Sequence, residues 1–293
     1  MGKHAFLLMA HKNDLSFRTL LQQLDDENSD IYIHMDIKNK NYDISEVENN
    51  IHKSTVYHID RMDLTWGGYS LVACELNLLN KATNKMKYDY YHLLSGQDLL
   101  ISTIDNVYNF FTKNSGKEFV RFESSTFKYE DRVRYYSIQE KVGRNKNLLY
   151  YVDRGFRLVQ KTLKIKRSKS VEFQKGAQWF SITDDLARYV VMKENWVKKT
   201  FNYTFAPDEV FLQTLVYNSS FKERLYSKTY NNDIENIQRL IDWKRGTPYT
   251  FKSEDFDELV FSKMLFARKF DEKTDREIIN KIFNYYTDLQ GLG

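Results

Sequence analysis

A chain of 293 residues, 42% of them hydrophobic and 29% charged, is long enough to bury a substantial core and has the composition of a soluble globular protein. A net charge of +4 is too modest to indicate a nucleic-acid partner, and none is expected. Two prolines and 11 glycines exclude long disordered linkers, and the lone cysteine, Cys74, excludes an internal disulfide or a cysteine-based metal cluster and fits a reducing compartment.

Residues 5–10 are an uninterrupted apolar run, too short for a secretory signal or a membrane-spanning helix, and read as a buried strand. No later run is long enough to span either, so a cytoplasmic location is expected. Asn13 or Asp14 then caps a helix with Leu15, Leu20, Leu21 and Leu24 apolar. Residues 31–37 alternate as a second strand, and 56–59 form a short third. Residues 69–82 are a strong helix, 89–94 a strand ending in Ser95-Gly96-Gln97-Asp98, 104–111 a helix and 118–122 a strand. This alternation predicts an α/β fold with a mixed, mostly parallel central sheet flanked by helices. Ligands of such sheets bind beyond the carboxyl ends of strands, where three polar signatures fall: His11-Lys12, Asp36 with Lys38, and Ser95–Asp98. Each alone is ordinary turn chemistry; together on one edge they make a candidate nucleotide site.

Residues 144–175 carry ten Lys or Arg against two acids, Asp153 and Glu172, with Phe156, Val159 and Leu163 at roughly helical spacing. A solvated basic helix is the ordinary reading. The alternative is a surface that meets anionic lipid or an anionic acceptor. Residues 176–182 read as a strand, and Thr183 caps a helix running to about Met192.

The stretch 204–215, TFAPDEVFLQTL, comes next. Pro207 sits near a first helical position, and Asp208 and Glu209 fall in the first turn, where the helix dipole favours negative charge. Val210, Phe211, Leu212 and Leu215 supply an apolar face. A well-capped helix accounts for all of this. The functional alternative is a carboxylate held rigidly at a cleft, with Glu209 as a general base. Beyond it, 239–243 read as a short strand, 246–248 as a turn and Ser253 as the cap of a helix. Thr274 and Glu277 make a capping box for a last helix.

Sugar transfer from a nucleotide needs a nucleotide pocket, a cation for the leaving diphosphate and a base for the acceptor hydroxyl. The Asp-x-Asp pair Asp255 and Asp257 opens a predicted helix and reads as dipole complement, so no metal site is expected. Lys and Arg neutralise a diphosphate directly; Lys269 and Arg239 or Arg245 are candidates, although each singly has the character of a surface charge. No phosphate-binding glycine loop, dinucleotide fingerprint or nucleophile elbow is present.

Seven segments, in order, resemble the core-2/I-branching enzymes, the β-1,6-N-acetylglucosaminyltransferases with the related protein xylosyltransferases. They are AFLLMAHKN (5–13), IYIHMDIKN (31–39), MDLTWGGYSLVACELNLL (62–79), YYHLLSGQDLLI (90–101), KGAQWFSIT (175–183), TFAPDEVFLQTL (204–215) and MLFARKFD (264–271). The resemblance implies a glycosyltransferase A type fold in one domain, 1–293, with residues 1–125 binding the nucleotide sugar and 126–293 binding the acceptor and carrying catalysis. It implies an inverting reaction without a divalent metal or other cofactor, moving a sugar, N-acetylglucosamine first among the choices, from a UDP-sugar donor to a hydroxyl of a saccharide acceptor.

Carried onto this chain, the resemblance makes Glu209 the base and Lys269 the diphosphate contact, shared with Arg239 or, because the spacing differs, Arg245. It puts Trp66, Ser95, Gly96 and Asp98 at the nucleotide sugar, where the strand-end signatures add His11 and Asp36. Glu123, Arg132, Arg134, Gln178 and Trp179 fall on the acceptor side. Leu100 stands where the family has proline. The animal enzymes have a membrane anchor and disulfides, so a bacterial-type, cytoplasmic form is expected, peripheral at the inner membrane through 144–175 and acting on a lipid-linked or capsular precursor. Two other classes remain: a metal-dependent transferase of the same fold with Asp36 or Asp98 as ligand, and an inactive saccharide- or membrane-binding relative.

Overall fold

The computed structural model describes residues 2–168 and 170–291. Its strands are β1 (His4–Ala10), β2 (Ser29–Met35), β3 (Thr55–His58), β4 (Tyr90–Ser95), β5 (Asp98–Leu100), β6 (Phe119–Phe122), β7 (Gly176–Thr183), β8 (Arg239–Ile241) and β9 (Phe266–Arg268). Among the described residues they form a six-stranded sheet in the order β3-β2-β1-β4-β7-β6 and a three-stranded sheet in the order β5-β9-β8. The first four strands of the large sheet are mutually parallel, and β7 runs antiparallel to both neighbours. This is the expected α/β class, a mostly parallel sheet between helices.

β1 is buried along its whole length because both its faces are covered, as parallel strands require. Phe6, Leu8 and Ala10 point to one core, shared with Leu20, Leu21 and Leu24 of the helix Leu15–Leu24. Ala5, Leu7 and Met9 point to the other, shared with Val72, Leu76 and Leu79 of the helix Tyr69–Lys85. The period-2 alternation of a strand thus divides one apolar run between two cores.

Several boundaries differ from the sequence reading, each for a local reason. Asp14, not Asn13, caps the first helix by accepting the Phe17 amide at 3.2 Å. β2 ends at Met35, so Asp36 is free to turn and accept the Lys38 amide at 2.8 Å. Residues 204–215 are not one helix. Ala206 is left-handed (φ +48°), Pro207–Glu209 form a 3-10 turn, and Val210 (φ −130°) breaks the chain before the helix Phe211–Tyr217. Asp275 rather than Thr274 caps the last helix, accepting the Glu277 and Ile278 amides at 2.8 and 3.0 Å. Ser253 lies in a 3-10 turn, Ser253–Asp255, which is closed by Asp255 accepting the Lys252 amide at 2.8 Å.

Candidate active site

The strand order reverses between β1 and β4, since β2 lies on one side of β1 and β4 on the other. A crevice therefore opens beyond their carboxyl ends. Because β7 is antiparallel to β4, its first residues reach the same edge. The result is a cleft of about 1370 Å³ whose walls include His11, Asp36, Trp66, Ser95, Gln178, Trp179 and Glu209. The residues read from the sequence as three separate polar signatures do share one edge.

Two glycines let the backbone approach closely there. A Cβ on Gly96 would sit 3.1 Å from the Ala10 Cβ, where β4 turns beside β1. A Cβ on Gly176 would sit 1.7 Å from the Arg121 carbonyl oxygen, at the irregular β6/β7 pairing, so no larger residue fits.

Glu209 stands at the end of the 3-10 turn with its side chain 37% exposed. Its Oε2 accepts from Arg132 Nη1 at 2.8 Å and lies 3.5 Å from Lys175 Nζ. Lys175 also donates to Glu123 at 2.7 Å, and Tyr129 OH donates to Glu123 at 2.6 Å. Arg132 and Glu123, from the expected acceptor side, are thus joined to Glu209 in one charge chain. Lys175 is a member that the sequence reading did not single out. Arg134 is elsewhere: it pairs with Glu130 at 2.8 Å and donates to the Ser168 and Val171 carbonyls, holding a loop.

Two buried carboxyls lie behind the base. Asp208 lines the cleft, and burial first, then the neighbouring Glu209 charge, pushes it up to about 7. Glu75, from the middle of the helix Tyr69–Lys85, is fully buried and accepts from Gln178 Nε2 at 2.9 Å. Burial, and then the Asp208 charge, push Glu75 well above the usual carboxylate range. Glu75 was missed from the sequence; its only signal was an acid inside an otherwise apolar helical run.

The cationic side corrects the choice of arginine. Arg239 is 1% exposed and donates to the Ile237, Leu93 and Phe180 carbonyls at 2.6, 3.1 and 2.8 Å. It ties β4, β7 and β8 together and does not line the cleft. Burial lowers it to about 9. Arg245 is spent on Asp242, Asp255 and Glu258. Arg268, at the end of β9, does line the cleft. It donates to Ser95 Oγ and Asp98 Oδ1, both at 3.1 Å, and lies 4.2 Å from the Trp179 ring centre.

Beside it, Lys269 has no ion pair among the described residues. Burial and then the charges of Arg268, Arg144 and Lys12 lower its ammonium, with Asp271 opposing. Four cations gather here against two acids, Asp98 paired with Arg268 at 3.1 Å and Asp271 with Lys12 at 3.0 Å, so the corner keeps a net positive charge that suits an anion. Asp98 and Gly96 act from behind: Asp98 Oδ2 and Oδ1 accept the Ser95 amide and hydroxyl at 2.9 and 2.7 Å. Asp36, buried beside the cleft, accepts backbone amides of Lys38 and Leu64. Among the described residues no group of three or more His, Cys, Asp and Glu is arranged to hold a metal ion.

A family model described as Core-2/I-Branching enzyme matches residues 4–265. That match ends just before Arg268 and Lys269, whose grouping rests on geometry. The chain is 25% identical to a Ciona intestinalis xylosyltransferase, over 97% of this chain and 34% of that protein. It is 24% identical to the xylosyltransferases sqv-6 of Caenorhabditis briggsae, over 94% of this chain and 36% of that one, and oxt of Drosophila melanogaster, over 75% and 26%. The chain spans about a third of the length of the curated relatives it matches first. These relatives are animal proteins and lend no support to a bacterial-type assignment. Among solved structures, mouse xyloside xylosyltransferase 1 aligns over 90% of this chain and 96% of its own, at 9% identity and a TM-score of 0.39.

Proposed function

The chain belongs to the core-2/I-branching enzyme family, and from that premise we propose that it is an inverting glycosyltransferase acting on a UDP-sugar. One observation carries the reading: a partly exposed carboxylate, Glu209, and the guanidinium of Arg268 line the same cleft, with Lys269 following Arg268 in the chain. Glu209 takes the proton of an acceptor hydroxyl as that oxygen bonds to the anomeric carbon. The bond from that carbon to the diphosphate breaks on the opposite face, and UDP departs with the electron pair. Arg132 and Lys175 orient the base. Arg268 and Lys269, with Lys12 and Arg144 near, offset the charge growing on the diphosphate, the work a divalent metal performs elsewhere.

His11, Asp36, Trp66 and Ser95 surround the nucleotide sugar, and Gln178, Trp179 and Glu123 the acceptor side. The resemblance favours N-acetylglucosamine as donor sugar; the relatives, named xylosyltransferases, favour xylose. A screen of UDP-xylose, UDP-N-acetylglucosamine, UDP-glucose and UDP-galactose, read by thermal shift and UDP release, decides between them. Full turnover in EDTA is expected, and strict dependence on added manganese would replace the cationic reading with a metal-dependent one. No UDP release from any donor would leave a binding relative.

A further inference from the structure

The helix Leu148–Thr162 is amphipathic the wrong way round for a helix packed on a core. Its buried side chains are polar. Asp153 accepts from Ser137 Oγ at 2.9 Å and the Ile138 amide at 2.7 Å, and pairs with Arg157 at 2.9 Å. Gln160 exchanges hydrogen bonds with the Tyr136 backbone, at 2.8 and 2.9 Å. The outward side is apolar: Leu148, Val152, Phe156, Val159 and Leu163 recur at helical spacing and are between 44% and 79% exposed. A contiguous ridge of this kind facing water marks a contact surface.

The charges around the ridge identify the partner. Arg144, Lys146, Arg154, Lys161, Lys164 and Lys166 are all exposed along or beside it, against two acids from a neighbouring segment, Asp131 at 3.4 Å from Lys161 and Glu130 at 3.9 Å from Lys166, so cations are in excess. The only acid within the helix, Asp153, is buried and paired. An apolar stripe with Arg154 and Lys161 on the opposite side of the helix and Lys164 and Lys166 beyond its end, and with no exposed acid on the helix, complements an anionic lipid surface, where the stripe enters the acyl boundary and the cationic side chains reach headgroups. No described helix is long and apolar enough to cross a membrane. The segment also adjoins the cleft: Gln139 Nε2 donates to the carbonyls of both Trp66 and Gly143, at 3.1 and 2.8 Å, and Arg144 lines the cleft.

We propose that Leu148–Thr162 lies in the interfacial plane of an anionic membrane and brings the open side of the cleft to the lipid surface. The proposal stands on this surface and is independent of the reaction assigned to the cleft.

Co-sedimentation of the full chain with phosphatidylcholine vesicles, pure or equimolar with phosphatidylglycerol, tests it. Binding is expected on the anionic vesicles, weakened by added salt. The triple variant Lys161→Gln, Lys164→Gln, Lys166→Gln should lower the partition roughly a hundredfold at low salt. The triple variant Val152→Ser, Val159→Ser, Leu163→Ser should lower it at least about tenfold. Both sets are exposed, so melting temperatures should stay at the parent value. Lack of preference for anionic vesicles, or a partition that neither triple variant changes, overturns the proposal. So does a dimer in sedimentation velocity that the serine variant dissolves, which would assign the ridge to a second copy of the chain.

Discussion

Arg132 Nη1 lies 2.8 Å from Glu209 Oε2, although 77 residues of chain separate the two. Arg132 is itself gripped between aromatic faces, its guanidinium 5.0 Å from the Tyr129 ring centre and 5.3 Å from that of Phe205. Glu209 is therefore aimed by a partner with little freedom of its own. Ala206 and Pro207 set the backbone beneath it, the first by its left-handed conformation and the second by its fixed φ. The carboxylate is positioned from both sides before any acceptor arrives.

Glu209→Gln keeps the shape and the Arg132 contact but cannot take a proton. UDP release from the preferred donor should fall by roughly 10²–10⁴-fold. UDP affinity, measured by calorimetry, and melting temperature should remain at parent values. Turnover near the parent rate would remove Glu209 from the role.

Arg268→Ala and Lys269→Ala should each weaken UDP binding by roughly tenfold or more, since on the proposed reading each would remove a charge-assisted contact to the diphosphate. Arg245→Ala should leave it within about twofold, because three carboxylates already occupy that guanidinium. Calorimetric titration of UDP compares the three. An equal loss at Arg245 would move the anion site toward the 242–258 side of the cleft.

Arg239→Met should act on stability rather than on UDP contact. It leaves three buried carbonyl oxygens without their donor, and the expected cost is about 3 kcal/mol or more. Urea unfolding measures it. A variant of parent stability that has lost UDP affinity would return Arg239 to the diphosphate.

Asp208 links stability to pH. Its folded value of about 7 lies above its ordinary 3.8, so the fold favours the protonated carboxyl. That contribution is fully present below the ordinary value and is lost as pH rises through about 7. Asp208→Asn cannot ionise, so its stability relative to the parent should climb across that interval, to a gain on the order of a few kcal/mol at pH 8. Urea midpoints at pH 5 and pH 8 give the difference directly. Glu75 is shifted in the same direction and is present in both proteins, so subtraction removes it to first order. An identical pH slope in the two proteins would show that Asp208 is ionised in the fold across the whole range.

The sheet and its ligand edge were legible because apolar runs of strand length alternate with helices of matching apolar period. The grouping of His11, Asp36 and Ser95 followed from that alternation alone. What sequence periodicity does not report is who occupies a charged group. Arg239 and Arg268 look equally available as letters, yet one is enclosed by carbonyl oxygens and the other faces the cleft. Lys175 and Glu75 escaped notice for the same reason, since their partners, Glu123 and Gln178, come from distant parts of the chain. The 3-10 turn at Pro207–Glu209 depends on Ala206 taking a left-handed conformation that no residue type announces. In the helix Leu148–Thr162 the apolar spacing was visible, but it did not say that polar residues would be the ones buried.

One carboxylate braces the cationic corner. Asp98 opens β5 and accepts from Ser95 of the large sheet and from Arg268 of the small one. The end of the cleft that would hold a leaving diphosphate is thus a fixed joint between two sheets, its charges spaced before a ligand arrives, which lowers the ordering cost of association. Other parts of the cleft wall are connecting segments, including residues 231–232 and 242–248, the latter adjoining Arg268 and Lys269. Such an arrangement divides evolutionary freedom unevenly. On the proposed reading, a lineage built on this frame could change the sugar it moves, or the hydroxyl that receives it, by rewriting loops, while the grip on the departing nucleotide would be inherited with the joint.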